Sequence, residues 1–299
     1  MRLPSSDDDT QSNKKSSPPE VTLVPDGVLH NKYVSRKVGG SAAYVLCWRK
    51  AVQRLHPGSH RRISGKIVFP SSLPEYVAHL LRLRVLQELE LLTERLEYAM
   101  RSGKNLGNPA FILHRLSYVE WGTLKSIGTI PYPNAVAVLV VPQPNRHPIT
   151  KERPVPNMSA SPPDDEEHPE SVPPLSKLMS NSDTALRDES GILPHLEIPV
   201  YNSITAFPSR SQRAALYQFL TRILAVERFL KRLHFKKANF NPDTSKPENG
   251  RGSPARKSSH AFVLCSDNMT IRRGDSAAVA LALWRLRMYE GDGWTPCIK

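Results

Sequence analysis

A long apolar periodicity most constrains what this chain can fold into. From Val77 to Met100, apolar residues recur at steps of three and four, and further leucines widen the stripe. This repeat is typical of a helix that buries more than one side. Ser72 and Glu75 precede it with the spacing of a capping box, so we expect the helix to begin there and to run to about Arg101.

Shorter patterns in the N-terminal half predict two further helices. The first covers residues 41–55, with Ser41 as its cap and Pro57-Gly58 as its stop signal. The second starts at Asn108-Pro109 and runs through the segment AFILHRLSYVEWGTL.

The C-terminal half has two helical patterns of its own. The longer one begins at Ser209, where Gln212 completes a second capping box. Its apolar stripe consists of Leu216, Phe219, Leu220, Ile223, Val226, Leu230 and Leu233. A last helix is expected between Asp275, as its cap, and Gly291, as its C-terminal stop.

Two apolar runs are too short for helices and predict strands. AVAVLVV, at 135–141, is bounded by prolines, and HAFVLCSD follows a polar, basic loop at 236–259. The fold class expected from these patterns is mainly α, a helical bundle with one or two short strands and a long disordered linker.

Proline and acidic residues divide the chain into parts. Ten prolines fall between 142 and 174, and PPDDEEHPE adds a block of acid. We therefore expect a disordered N-terminal tail over 1–38 and an N-terminal helical segment over 39–141. An acidic, proline-rich linker follows over 142–190, and a C-terminal helical segment covers 191–299. The two helical segments are expected to pack together as one unit.

Positive charge is the strongest functional signal. The chain carries a formal net charge of +13 and has a pI of about 9.8, which favours anionic partners such as RNA, DNA or acidic lipid. The excess is uneven: residues 129–208 hold 5 Lys/Arg against 10 Asp/Glu, whereas residues 209–299 hold 17 against 7. The basic character therefore belongs to the helical parts, although general solubility is an alternative reason for it.

Two basic clusters are the candidate nucleic-acid-binding sites, because guanidinium and ammonium groups bind phosphates and nearby aromatic rings stack on bases. Their members are Arg49, Lys50, Arg54, Arg61, Arg62, Arg228, Lys231, Arg232, Lys236 and Lys237. Three alternatives stay open. These cations could be ordinary solvated residues, could meet a protein partner, or could lie on an anionic membrane surface.

Catalytic signatures are missing from the sequence. It contains no glycine-rich phosphate loop, no G-x-S-x-G and no H-E-x-x-H motif. His114 could act as a base beside Glu120, but a hydrogen-bonded histidine is the commoner reason for such a residue. The three cysteines are too few and too scattered for a disulfide framework or a zinc site. The sequence therefore predicts a non-enzymatic protein without a cofactor or a metal.

Two segments carry a resemblance to a known family. LEIPVYNS with the long helix after it, and the terminal VALALWRLRMYEGDGW, resemble the C-terminal half of a fungal mitochondrial family over residues 195–294. Members of that family are required for respiratory growth and for mitochondrial genome maintenance, and become essential when prohibitins are lost. YVLCWRKAVQRL is also similar to the opening helix of LYR-type mitochondrial adaptors, with Leu46-Cys47-Trp48-Arg49 where the triad would stand.

The resemblance implies a mitochondrial protein. Its polar, acidic start is not typical of a presequence, so import would depend on the basic helix expected at 41–55. The implied function is a non-enzymatic factor for mitochondrial genome maintenance or gene expression that contacts RNA or the mitochondrial ribosome. The alternative is a helical protein–protein adaptor or assembly factor of the LYR-like kind.

Overall fold

A mixed α/β fold is formed by the residues that the computed structural model describes. These are residues 21–34, 44–55, 67–102, 111–130, 132, 134–146, 151–161, 173–181, 197–238, 258–273 and 275–291. The expected mainly helical bundle with one or two short strands is wrong, because six strands join one mixed sheet. Several of these strands are short segments whose partners lie far away in the sequence, and no local pattern indicates such pairing.

The helices and strands have the following bounds. The helices are α1 (Arg49–Gln53), α2 (Leu73–Arg101), α3 (Tyr118–Ile127), α4 (Ser203–Ala206), α5 (Arg210–Ala238), α6 (Asn268–Arg273) and α7 (Ala277–Glu290). The strands are β1 (Val21–Thr22), β2 (Ile67–Val68), β3 (Leu113–Ser117), β4 (Thr129–Ile130), β5 (Ala135–Val140), β6 (Ser176–Asn181), β7 (Glu197–Asn202) and β8 (Ser258–Cys265).

The main sheet has the strand order β3-β8-β5-β7-β6-β4, while β1 pairs with β2 separately. β8 runs antiparallel to both β3 and β5, and β7 runs parallel to β5 and antiparallel to β6. In register, Leu139 of β5 lies between Phe262 of β8 and Tyr201 of β7. Strands from both expected helical segments therefore lie side by side in one sheet.

The core lies on both faces of this sheet. Successive side chains of a strand point to opposite faces, so Phe262 and Leu264 of β8 join the larger cluster with α2, α5 and α7, whereas Ala261 and Val263 join a smaller one. The smaller cluster includes Leu124 of α3. The long helices thus form a layer on one face, and α3 packs on the other.

A buried carboxylate fixes the start of the edge strand β3. Glu227 of α5 is 8% exposed, and one of its oxygens accepts hydrogen bonds from the backbone N–H groups of Ile112, at 2.8 Å, and Leu113, at 3.0 Å. Backbone donors at a sheet edge need acceptors when they are buried. Glu227 therefore links the helical layer directly to the sheet.

The helices expected in the N-terminal half are corrected in two places. The helix expected from Asn108 is wrong in its first part, because residues 113–117 form β3 and α3 starts only at Tyr118. The helix expected over 41–55 is reduced to α1, and Trp48 precedes it in an extended conformation. Ser41, Asn108 and Pro109 lie outside the described residues.

The capping boxes are also placed differently. Ser72 makes no side-chain hydrogen bond to the start of α2, and the Gln212 side chain donates to the carbonyl of Met158. The capping box that does form joins Ser117 and Glu120 at α3. By contrast, the expected bounds of α2 hold, as do the strands at β5 and β8.

Parts of the expected tail and linker belong to the folded unit. β6 falls inside 142–190 and pairs with β7 from Ser176 to Ser180, and Met158 packs against the main core. Residues 21–34 of the tail region also contact α2, since the backbone N–H of His30 donates to Gln87. Among the described residues, no helix is both long enough and apolar enough to cross a bilayer.

Candidate nucleic-acid interface

Arg49, the first of the candidate cations, is a structural residue. Its guanidinium forms ion pairs with Glu75 of α2, at 2.6 Å, and with Glu290 of α7, at 3.2 Å. Arg82 adds a second cation to Glu290, at 3.0 Å, and donates to the carbonyl of Ala206. Burial lowers the pKa of Arg49, but the two carboxylates outweigh it and raise that pKa above its usual value. Arg49 therefore ties α1 to α2 and α7.

Lys50 and Arg54 differ from Arg49 because they face solvent. Both are exposed, and among the described residues no carboxylate lies within ion-pair distance of either. The ammonium of Lys50 lies 5.9 Å from the centre of the Trp48 ring. Arg61 and Arg62 lie outside the described residues.

The second basic cluster occupies the C-terminal part of α5. Arg228 and Arg232 are exposed and four residues apart, so they lie on one side of the helix. Phe229 lies between them in the sequence and is 45% exposed. Within the described residues neither arginine has a carboxylate at ion-pair distance. Three further candidates belong to the same helix, but their side chains lie outside the described part: Lys231, Lys236 and Lys237.

The structure does not bring the two clusters together. α1 is bound to α2 at Glu75, whereas α5 is bound to α2 at Glu97 through Arg222. At about 1.5 Å of rise per residue, Glu75 and Glu97 lie about 33 Å apart along α2. Arg228 lies further along α5 in the same direction. The predicted sites are therefore two separate surfaces at opposite ends of the helical layer.

Most cations between these two ends are neutralised. Arg84 pairs with the buried Glu88 at 2.7 Å, and Lys32 pairs with Glu94 at 2.6 Å. Three more arginines have carboxylates within 4 Å: Arg95, Arg101 and Arg222. The cations of α2 therefore do not form a continuous basic face.

The sequence reasoning missed an exposed apolar surface on α7. Leu281 is 52% exposed and Trp284 is 41% exposed, next to the exposed Arg285. The Sγ atom of Cys47 lies 3.9 Å from the carbonyl oxygen of Arg285, so the segment before α1 lies against this helix. In the sequence, Leu281 and Trp284 are equally compatible with a buried position. Only the position of the sheet shows that this side of α7 faces solvent.

His114 and Glu120 lie close together. His114 Nε2 lies 4.0 Å from a Glu120 oxygen, and the His114 ring packs on Tyr132, with 4.8 Å between the ring centres. Tyr132 donates a hydrogen bond of 2.7 Å to the same carboxylate, and the backbone N–H of Ser117 donates to its other oxygen. Glu120 thus joins β3, α3 and the turn before β5.

The acid–base properties of this cluster follow from its contacts. Burial raises the pKa of Glu120, but the hydrogen bonds from Ser117 and Tyr132 outweigh burial and hold the pKa below its usual value. Burial raises the pKa of the nearby Cys265 thiol to about 11, helped by the charges of Glu227 and Asp267. Such a thiol is protonated at neutral pH and is a poor nucleophile.

Comparison with known proteins gives no match to a family model, to a curated protein or to a solved structure. The resemblance to the fungal mitochondrial family therefore stays a prediction. Among the described residues, no group of three or more His, Cys, Asp and Glu side chains could hold a metal ion.

Proposed function

We propose that this chain is a non-enzymatic mitochondrial factor that contacts RNA, free or in the mitochondrial ribosome, in support of mitochondrial gene expression or genome maintenance. The RNA contact is assigned to the basic stripe on α5, defined as Arg228, Phe229 and Arg232. The mitochondrial setting depends on the family resemblance of the sequence.

One observation supports the proposed RNA contact. Arg228 and Arg232 face solvent one helical turn apart, with no carboxylate partner among the described residues, whereas Arg222, less than two turns earlier, is locked to Glu97. Two uncompensated guanidinium groups at this spacing can each bind a phosphate. Phe229 presents a half-exposed ring beside them, on which a base can stack.

The helix continues past this stripe. α5 continues to Ala238, so Lys236 falls one turn beyond Arg232 on the same helical repeat. Cations at the C-terminal end of a helix also stabilise its dipole, typically by about 0.3–1 kcal/mol each. That ordinary role needs no exposed aromatic ring, and Phe229 is therefore the residue that distinguishes RNA contact from helix stabilisation.

The test is RNA binding by the full chain at several salt concentrations. We expect a fluorescent single-stranded RNA of about 20 nucleotides to bind with a steep salt dependence. The double variant R228E/R232E should weaken binding about tenfold or more and reduce the salt slope by about 2, since two phosphate contacts are lost. Phe229→Ala should weaken binding with little change in the slope.

The matched control is R146E/K177E, which changes the net charge equally at two exposed cations elsewhere. Equal weakening by both double variants would show that only net charge matters, and would contradict an assigned RNA site. Imaging a tagged full chain in the cells that express it tests the mitochondrial setting separately, and a nuclear or cytosolic signal would remove it.

A further inference from the structure

The outer side of α7 and the segment before α1 meet at the Cys47–Arg285 contact, and we call the exposed residues of this region the apolar corner: Tyr44, Leu46, Leu281, Trp284 and Arg285. From its exposure and charge we infer that the apolar corner binds an acidic amphipathic helix of a protein partner. This inference is independent of the RNA contact, since the basic stripe lies at the other end of the helical layer.

Four large apolar side chains of the apolar corner are exposed. Tyr44 is fully exposed, Leu46 is 51% exposed and Leu281 is 52% exposed, and Trp284 keeps 41% of its surface open. The Cys47–Arg285 contact places the segment that carries Tyr44 and Leu46 beside α7. Grouped exposed apolar residues of this kind mark interaction sites.

The side chain of Arg287 holds the Trp284 ring in place. The guanidinium of the buried Arg287 lies 4.8 Å from the Trp284 ring centre, and its Nε donates to the hydroxyl of Ser176 in β6 at 2.9 Å. The sheet therefore positions Arg287, and Arg287 supports the ring by a cation–π contact. A tryptophan that is ordered before binding loses little conformational entropy when a partner covers it, which is typical of binding hot spots.

The charges beside the apolar corner determine which kind of partner it can bind. Arg285, Lys50 and Arg54 are exposed and have no carboxylate at ion-pair distance among the described residues. Arg49 and Arg82 behind them are already neutralised by Glu75 and Glu290. Among the described residues the unpaired charge at the rim is thus positive, and a complementary partner carries Asp and Glu beside its apolar residues.

The aliphatic content favours a protein over RNA. Leu46 and Leu281 offer no stacking surface to a base, but they fit the i, i+3, i+4 and i+7 anchors of an amphipathic helix. Leu281, Trp284 and the half-buried Met288 follow one side of α7 over about two turns, a length that suits two turns of a partner helix.

Binding of synthetic peptides to the full chain tests this. The first peptide is an 18-residue helix with leucines at one face and glutamates beside them. The second has lysines in place of the glutamates, and the third has serines in place of the leucines. We expect the first peptide to bind at least tenfold more tightly than either of the others, and to protect Cys47 from alkylation.

Variants of the chain give the second arm. L281S/W284S should weaken the acidic peptide at least tenfold, and K50E/R285E should reverse the preference between the acidic and basic peptides. The matched control is V119S/I127S, which removes two exposed apolar side chains of α3 and should leave binding unchanged. Circular dichroism of each variant confirms that it is folded.

Three results would overturn the inference. They are failure of the acidic peptide to bind below about 1 mM, equal binding of the acidic and basic peptides, and equal binding to wild type and L281S/W284S. Self-association, RNA binding or binding to anionic vesicles that is lost in L281S/W284S, without peptide binding, would assign the corner to that occupant instead. Loss of RNA binding in R228E/R232E alone leaves this inference standing.

Discussion

Arg222 and Glu97 form a two-pronged ion pair that joins α5 to α2. Arg222 Nε and Nη2 each donate to a different Glu97 oxygen at 3.0 Å, and Glu97 is 19% exposed. Arg101 approaches the same carboxylate at 3.5 Å. Two parallel hydrogen bonds fix the relative rotation of the helices more tightly than a single contact would. The pair therefore sets the direction in which the later turns of α5 face.

Replacing Arg222 should lower stability modestly. We expect Arg222→Ala to reduce the free energy of unfolding by about 1 kcal/mol, because the arginine is 40% exposed and solvent screens the pair. Urea denaturation measures the change. Arg210→Ala, at an exposed cation in the first turn of α5, is the control and should change stability by less than about 0.5 kcal/mol. An equal effect of the two substitutions would contradict the structural role of Arg222.

Removing the Glu227 carboxylate should have a larger effect. In Glu227→Ala the buried N–H groups of Ile112 and Leu113 lose their acceptor, which we expect to cost about 2–4 kcal/mol. Glu227→Gln keeps an accepting oxygen and should cost less. Urea denaturation gives the free energies, and hydrogen exchange at the two amides reports whether the start of β3 has opened. Unchanged exchange in Glu227→Ala would contradict this assignment.

Acid should weaken the fold in part through Glu120. Its pKa is lowered in the folded state, so its stabilisation is present above the unfolded value of about 4.5 and is lost as the pH falls through the folded pKa. Stability measured from pH 6 to pH 3 should therefore fall more steeply in wild type than in Glu120→Gln. Tyr132→Phe removes one of the hydrogen bonds and should give an intermediate slope. Identical slopes in all three proteins would show that Glu120 is not involved.

Gly291 tests the end of α7. Its φ is +103°, a left-handed conformation that a side chain strains, although a Cβ there would meet only ordinary contact with Trp48 at 3.7 Å. We expect Gly291→Ala to cost about 1 kcal/mol through the backbone alone. Gly122→Ala in α3 is the opposite case, because its φ is ordinary and its surroundings are open. That variant should gain about 0.5–1 kcal/mol in thermal or urea denaturation.

Local patterns were sufficient where an element is both long and amphipathic. The period from Val77 to Met100 predicts α2 correctly, and the glycine after Glu290 ends α7 as expected. Leu113 and Leu116 lie at a helical spacing, yet their segment is a strand because β8 pairs with it. The strand β8, whose pairing makes this segment a strand, lies about 145 residues later in the sequence.

Pro199 made the strand β7 difficult to recognise from the sequence. Pro199 has no N–H to donate and normally argues against a central strand. The strand forms because Pro199 faces only Leu178 of β6, while pairing with β5 begins at Val200. β5 and β6 pair with β7 over different residues, so no backbone hydrogen bond to β5 is required at Pro199. This offset depends on the tertiary structure, and a local sequence pattern does not reveal it.

The sequence shows which residues are cations but not which of them are paired with carboxylates. Charge counts identified Arg49 and Arg228 alike as available cations, although Glu75 and Glu290 neutralise the first and no described carboxylate reaches the second. Which arginine finds a carboxylate depends on helix packing. The outward position of Trp284 depends on the same packing, because the sheet determines which side of α7 is buried.

The position of β8 also governs how the protein can assemble during synthesis. This strand is made near the end of the chain but lies between β3 and β5, which are made more than a hundred residues earlier. Until the ribosome has released it, β3 has no described neighbour in the sheet and β5 has one open edge. Completion of the sheet is thus a late, long-range event, and a chain that stops before Ser258 leaves two strands without their common partner.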